Sequence, residues 1–120
     1  MNELFKRSFT EPDQTLEVEL AIVEIVEING LPVRRMTCQP GWHWRESLGP
    51  VLGADSCPVE HLFFAISGCL TVRMDDGTTA DIGPGEIGVI PPGHDAWVSG
   101  DVPLVGIDFQ GEEVHKRLFG

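Results

Sequence analysis

The chain has 120 residues, of which 42% are hydrophobic, and this is enough for one domain with its own hydrophobic core. Eight basic against nineteen acidic residues give a net charge of -11, so we expect the protein to bind neither nucleic acid nor an anionic membrane surface. No apolar run approaches the roughly 20 residues of a membrane span, and three cysteines without a Cys-x-x-Cys pair argue against a disulfide framework or a zinc ribbon.

The N-terminal half of the chain is predicted to open with a β-hairpin. Residues 1–7 lack the apolar core and cleavage site of a secretion signal, so we expect a cytoplasmic protein. Residues 16–28 are rich in Val and Ile, and apolar residues alternate with polar ones there as in a half-buried strand. Asn29-Gly30 is a strong hairpin signal, and residues 31–38 supply the returning strand.

Short strands separated by Gly and Pro continue through the rest of the sequence. Residues 42–48 are predicted to form the next strand, and residues 49–58 an irregular loop. Further strands are predicted at residues 61–66, 69–74, 78–82, 86–90, 96–99 and 102–109. Only residues 112–118 have a helical pattern, which predicts a short C-terminal helical turn. About nine short strands with Gly and Pro turns indicate an all-β sandwich or barrel.

Two segments carry a resemblance to a known family. Residues 85–93 read Gly-Glu-Ile-Gly-Val-Ile-Pro-Pro-Gly and match the opening of the second cupin motif, namely Gly, five residues, Pro, any residue and Gly. Residues 61–68 resemble the end of the first motif, with His61 where the family usually has Glu. The chain thus resembles the cupin superfamily over residues 41–109, and more narrowly its small single-domain bacterial members of unassigned activity. The resemblance implies one domain over residues 1–120, folded as a double-stranded β-helix (jelly-roll) barrel.

The resemblance also implies a metal site inside the barrel. Cupins hold Fe, Mn, Ni, Zn or Cu through imidazole and carboxylate groups, but three usual ligand positions are occupied here by Ser47, Gly49 and Ala96. His61 and His94 stand near the ends of the two motifs, so we expect their imidazoles to converge on a divalent transition metal. With so few donors, we expect the metal to bind more weakly than in a site with four protein ligands.

The resemblance also predicts further metal-binding residues and a pocket for a small organic molecule. Further donors within reach are Glu46, Ser47 and Cys57, although buried inert thiols remain the alternative interpretation of the cysteines. Arg45 is predicted either to bind a ligand carboxylate or to form a surface salt bridge, and His43 to lie too far along its strand to join the metal. The residues predicted to line the pocket are Trp42, Trp44, Arg45, Phe63 and Trp97.

Two functions fit these patterns. The first is a small metal-dependent enzyme with dioxygenase-like or isomerase-like chemistry on a small organic molecule. The alternative is a non-catalytic, ligand-sensing cupin with a degenerate metal site, which the substitutions at positions 47, 49 and 96 favour. In either case we expect a homodimer, because the apolar hairpin of residues 16–38 and the outward-facing side chains of Leu62, Phe64 and Ile66 need cover.

Overall fold

The computed structural model describes residues 3–109, and almost all of its regular structure is β. Two four-residue helices, α1 (Trp44–Ser47) and α2 (Gly49–Leu52), are the only helices in that range. The strands are β1 (Gln14–Val18), β2 (Ala21–Ile28), β3 (Leu31–Cys38), β4 (His61–Ser67), β5 (Cys69–Met74), β6 (Thr79–Ile82), β7 (Ile87–Ile90), β8 (His94–Ser99) and β9 (Leu104–Asp108). The all-β prediction is confirmed, whereas the predicted C-terminal helical turn lies outside the described residues.

The strands form two separate antiparallel sheets. The larger has the order β1-β2-β3-β9-β4-β7, and the smaller has the order β6-β5-β8. Within residues 3–109 no strand pairs one sheet with the other, so the barrel predicted from the resemblance is not closed and the fold is an open two-sheet arrangement. On one side, a mainly apolar cleft of about 430 Å³ lies between the edge strands β6 and β7.

The hydrophobic core lies between the sheets because inward and outward side chains alternate along each strand. In β4, Phe63 and Ala65 are buried while Ile66 is half exposed, as predicted for the two faces of this strand. The inward residues of both sheets and the segments between them form one cluster. Its members are Ala21, Cys38, Trp42, Trp44, Cys57, Phe63, Ala65, Leu70, Val72, Ile82, Ile90, Ala96, Val98 and Leu104.

The single strand predicted over residues 16–28 is in fact two strands. β1 and β2 pair antiparallel across a two-residue turn at Glu19 and Leu20, and Leu20 has a left-handed φ of 59°. A leucine is an unusual residue for this conformation, so the sequence carries no turn signal there. The next turn follows its sequence signal, since Asn29 and Gly30 both have positive φ, as a hairpin turn of this type requires.

The strand predicted over residues 42–48 is also wrong. Only His43 makes an isolated bridge, to Trp97, and the chain then enters α1 and α2. Pro50 lies in the first turn of α2, where its missing N–H costs nothing, and Gly53 ends the helix in the left-handed conformation. The described residues contain no helix long and apolar enough to cross a membrane.

Candidate metal centre

Three side chains converge at the start of two strands that belong to different sheets. His61 is the first residue of β4 and His94 is the first residue of β8. Cys57 lies in the loop before β4, and its backbone is fixed to the β8 segment because Cys57 N–H donates to His94 O at 2.7 Å and Gly93 N–H donates to Cys57 O at 2.8 Å. One donor atom from each of these three residues lies within 4.8 Å of the other two.

Hydrogen bonds fix the orientation of both imidazoles. The Nδ1–H of His61 donates to Oδ2 of Asp108 on β9 at 2.5 Å, and Asp108 is 1% exposed. The Nδ1–H of His94 donates to the backbone oxygen of Pro91 at 2.6 Å. Because Nδ1 is occupied in each ring, Nε2 is the nitrogen left to bind a metal. Histidine ligands in proteins are oriented by carboxylate or carbonyl acceptors in the same way.

The electrostatics of the three groups favour a thiolate. Burial by itself raises the pKa of Cys57, but hydrogen bonds from His61 and His94 outweigh it and lower the pKa to about 6. Burial by itself lowers the pKa of His61, but the hydrogen bonds to Asp108 and Cys57 raise it to about 9. Without a metal, the site therefore holds a Cys57 thiolate beside a His61 imidazolium near neutral pH.

The donor set and its spacing fit a transition metal. A metal at about 2.1 Å from nitrogen and about 2.3 Å from sulfur holds tetrahedral donors roughly 3.5 Å apart. Sγ of Cys57 is already 3.5 Å from Nε2 of His61, and the two histidine ring centroids are 5.2 Å apart. Side-chain shifts of up to about 1 Å would bring the remaining atoms into one coordination sphere. The convergence expected for His61 and His94 is present, and their role as ligands stays a prediction.

Two of the further donors predicted from the sequence do not reach this cluster. The prediction placed Glu46 and Ser47 on a strand, but both lie on α1 instead. Glu46 is exposed, and the Ser47 hydroxyl donates to the backbone oxygen of Glu19 at 2.9 Å. Of the three candidates, only Cys57 is in place.

The residues predicted to line one pocket are divided between two cavities. Trp44 and Phe63 line an apolar inner cavity of about 70 Å³, together with His61 and His94. Arg45 and Trp97 line a separate groove of about 550 Å³. Trp42 borders both, and its Nε1 is the one buried side-chain nitrogen or oxygen of the described residues without a hydrogen-bond partner.

The sequence interpretation missed two carboxylates, Asp108 and Asp95. Asp108 occupies an inward position of β9, on the same buried face as Leu104 and Gly106. A carboxylate on the buried face of a strand needs a partner, so this pattern was a usable signal. Asp95 was missed because it follows His94 in an otherwise apolar stretch, and its side chain accepts from His43 Nε2 at 2.5 Å.

Comparisons with known proteins place the fold but not a family. No protein-family model matches the sequence, and no curated protein matches it. A solved structure of unknown function from Rhizobium leguminosarum bv. viciae 3841 has a TM-score of 0.62 at 16% identity, over 88% of this chain and 94% of that one. Ectoine synthase from P. lautus, a cupin, also has a TM-score of 0.62, at 13% identity over 96% of this chain and 86% of its own.

A third neighbour supports the same assignment of the fold. It is a protein of unknown function (DUF1255) from Acinetobacter sp. ADP1, with a TM-score of 0.56 at 17% identity over 76% of this chain and 81% of that one. Identities this low show the fold alone. The class defined by the two sheets and their neighbours is therefore a cupin-like β-sandwich.

Proposed function

We propose that this protein is a cupin-like metal-binding protein whose metal is held by Cys57, His61 and His94. One observation carries the proposal: three donor atoms from two sheets and a loop lie within 4.8 Å of one another. The hydrogen bonds from the two Nδ1 atoms leave Nε2 available on both rings. This arrangement of acceptors behind the ligands is the one that metal sites use to fix imidazole orientation.

A thiolate with two imidazoles selects among the metals that cupins use. Sulfur is a soft ligand that suits Zn and Cu better than Mn, and Cu and Zn stand near the top of the general affinity order of divalent metals. We therefore rank Zn²⁺ and copper ahead of Fe, Mn and Ni. When bound, zinc would supply Lewis acidity and copper would supply one-electron chemistry. Three protein donors leave the coordination sphere incomplete, which accords with weaker binding than at a four-donor site.

The inner cavity limits what can reach such a metal. Its volume of about 70 Å³ has room for about two water molecules, since each takes roughly 30 Å³ in the liquid. An organic substrate would need much more space, because ligand pockets usually measure about 300 to 1,000 Å³. This volume favours the non-catalytic alternative, because both dioxygenase-like and isomerase-like chemistry need room for an organic substrate beside the metal.

Metal analysis of protein made without a polyhistidine tag tests the proposal. We expect one Zn²⁺ per chain by titration calorimetry, and a thiolate charge-transfer band when Co²⁺ or Cu²⁺ is bound. His61→Ala and Cys57→Ser should each lose the metal, because two donors remain. The matched controls are His43→Ala and Cys69→Ser, which remove an imidazole and a thiol outside the cluster. Wild-type affinity in Cys57→Ser, or absence of the band, would reject a site that includes the thiolate.

A further inference from the structure

A second cavity on the other side of Trp42 has the size and chemistry of a ligand site. It measures about 550 Å³ and lies against the outer face of the three-stranded sheet. On β5, Arg73 faces outward because it follows the buried Val72. On β8, the outward positions are Asp95 and Trp97, which alternate with the buried Ala96 and Val98. This groove falls within the roughly 300 to 1,000 Å³ of small-molecule pockets, whereas the inner cavity does not.

The floor of the groove is built on a fixed carboxylate. Oδ1 of Asp95 accepts from the backbone N–H of Arg45 at 3.1 Å and from that of Ala96 at 2.9 Å. Oδ2 of Asp95 accepts from Nε2 of His43 at 2.5 Å, and only 10% of the Asp95 side chain is exposed. These bonds satisfy the carboxylate and hold the His43 ring 5.3 Å from that of Trp97. The walls are thus ordered before any ligand arrives, which lowers the entropic cost of binding.

The two arginines of the groove, Arg73 and Arg45, have donor groups that make no hydrogen bond or ion pair with the described residues. The side chain of Arg73 forms no hydrogen bond or ion pair with the described residues, although β5 pairs it in register with Asp95. Arg45 is 58% exposed, with its Nε donating to the backbone oxygen of Asp55 at 3.1 Å and lying 3.9 Å from Asp95. The chain has nineteen acidic residues and only eight basic ones. A cavity-lining arginine such as Arg73, without an ion-pair partner among the described residues, is therefore unusual.

The negative charges of the groove come from two aspartates, Asp95 and Asp75. Asp75 is its other carboxylate, and Oδ2 of Asp75 accepts from the Ser56 hydroxyl at 3.2 Å. Two arginines therefore balance two aspartates, and the groove is locally neutral on a protein of net charge -11. An anion meets less repulsion there than over most of the surface.

Aromatic groups complete the site. Trp97 lines the groove with its indole, which can stack on a flat ligand. Trp42 also lines it and has the unpartnered Nε1–H described above.

We propose that this groove binds a small carboxylate with a planar apolar body. Arg73, assisted by Arg45, holds the carboxylate through the paired N–H groups of the guanidinium, and the planar body lies on Trp97. The site does not require the metal, because none of Cys57, His61 and His94 lines the groove. Binding of a carboxylate in the groove is therefore independent of whether the protein binds a metal.

Benzoate and its neutral analogue benzamide test the groove by NMR. The three tryptophans give three indole N–H signals, and we expect benzoate to shift those of Trp97 and Trp42 while that of Trp44 moves least. Arg73→Ala should weaken benzoate binding about tenfold or more, since it removes a hydrogen-bonded ion pair. Benzamide should bind the wild type as weakly as benzoate binds this variant. Arg73→Ala should fold normally, because that side chain has no partner to lose.

The matched control is Lys6→Ala, which removes one positive charge from an exposed position outside the groove and should leave benzoate affinity unchanged. Titrations with and without Zn²⁺, and in His61→Ala, separate this inference from the metal proposal. Equal benzoate binding in all three shows that the groove acts alone. Equal affinity of wild type and Arg73→Ala, or no shift of the Trp97 signal at millimolar benzoate, overturns the carboxylate site whatever the metal does.

Discussion

The described part of the chain, residues 3–109, contains two histidine–aspartate pairs with the same short separation but different surroundings. His61 and Asp108 are joined at 2.5 Å and lie beside Cys57 and His94, inside the protein. His43 and Asp95 are also joined at 2.5 Å, but they line the outer groove with Arg45 and Trp97. The hydrogen bond alone therefore does not define a metal ligand. The neighbouring donors decide the chemistry, and only the first pair has them.

Asp108→Asn is expected to weaken metal binding without unfolding the protein. The amide oxygen can still accept from Nδ1 of His61, but the negative charge that makes the ring a better ligand is lost. Changes of this kind behind a metal ligand commonly cost 10- to 100-fold in affinity, roughly the range we expect. Competition with a chelator measures it. Asp95→Asn changes the other pair and should leave metal affinity as in the wild type, and an equal loss in both variants would contradict this account.

Metal affinity is expected to rise with pH. The pKa of His61 is raised to about 9, so between about pH 6 and pH 9 the metal must displace one proton from its Nε2. Affinity should increase about tenfold per pH unit in that window and level off above it. Below about pH 6 the thiol of Cys57, whose pKa is lowered to about 6, binds a second proton, and the dependence should steepen. A pH-independent affinity from pH 6 to 9 would show that metal binding displaces no proton from His61.

Strand β9 packs closely against β4 because Gly106 leaves room for the ring of Phe63. A Cβ added at Gly106 would lie 2.2 Å from Cζ of Phe63 and 2.9 Å from the backbone oxygen of Phe64. Neither the buried ring nor the strand backbone can yield this much space. Glycine is required here by the close approach of two strands, and the ring of Phe63 also forms one wall of the inner cavity.

Gly106→Ala is therefore expected to destabilise the fold. Overpacking a tight core typically costs about 1 to 3 kcal/mol, and we expect this loss in the free energy of unfolding measured with urea. Gly83→Ala is the control, since the one atom near its Cβ is the flexible Glu86 carboxylate at 3.3 Å. If Gly106→Ala were as stable as the wild type, the Phe63 ring would have to adopt another conformation without loss of packing.

The elements show what the sequence could and could not predict. The bounds of β3 and β5 agree with the predicted strands, because Asn29-Gly30 and Gly77 mark neighbouring turns. The turn at Leu20 was missed because its residue is atypical for a left-handed conformation. Residues 42–48 were assigned to a strand from their local pattern, although α1 lies within them and Pro50 and Gly53 mark the ends of the next short helix.

For the candidate site, the positions of the two motifs predicted the histidines, but no sequence pattern paired Asp108 with His61. His61 and His94 were predicted as neighbours from the ends of two motifs, and their rings lie 5.2 Å apart. Asp108 could not be assigned to His61, because a partner 47 residues away depends on how β4 and β9 pair. Long-range register of this kind is not encoded in any local window of sequence.

At the scale of the whole molecule, the outer face of β4 and β7 exposes apolar side chains. Ile66, Ile87 and Val89 are 50%, 60% and 63% exposed, and the register places Val89 opposite Leu62 and Ile87 opposite Phe64. A continuous apolar patch on a sheet face is typical of a surface that another protein covers. The homodimer expected from the sequence thus remains our prediction, with this face as its interface.

Light scattering in solution tests the dimer. We expect twice the chain mass at micromolar concentration for the wild type, and the monomer mass for Val89→Glu, because a charge would be buried without a partner. Val102→Glu introduces the same charge at another exposed valine, 57% accessible, and should stay dimeric. A monomeric wild type would refute the prediction outright.

The place of β9 in the larger sheet bears on how the protein is made. It is the last described strand along the chain, yet it lies between β3 and β4 and pairs with both. As the ribosome delivers the chain from its N-terminus, the facing edges of β3 and β4 must wait with unpaired backbone groups, which is when nascent sheets are most prone to aggregate. Asp108 arrives with the same strand. Translation therefore completes the sheet and orients His61 in a single late event, so a chain paused before residue 104 should be both protease-sensitive and unable to retain metal.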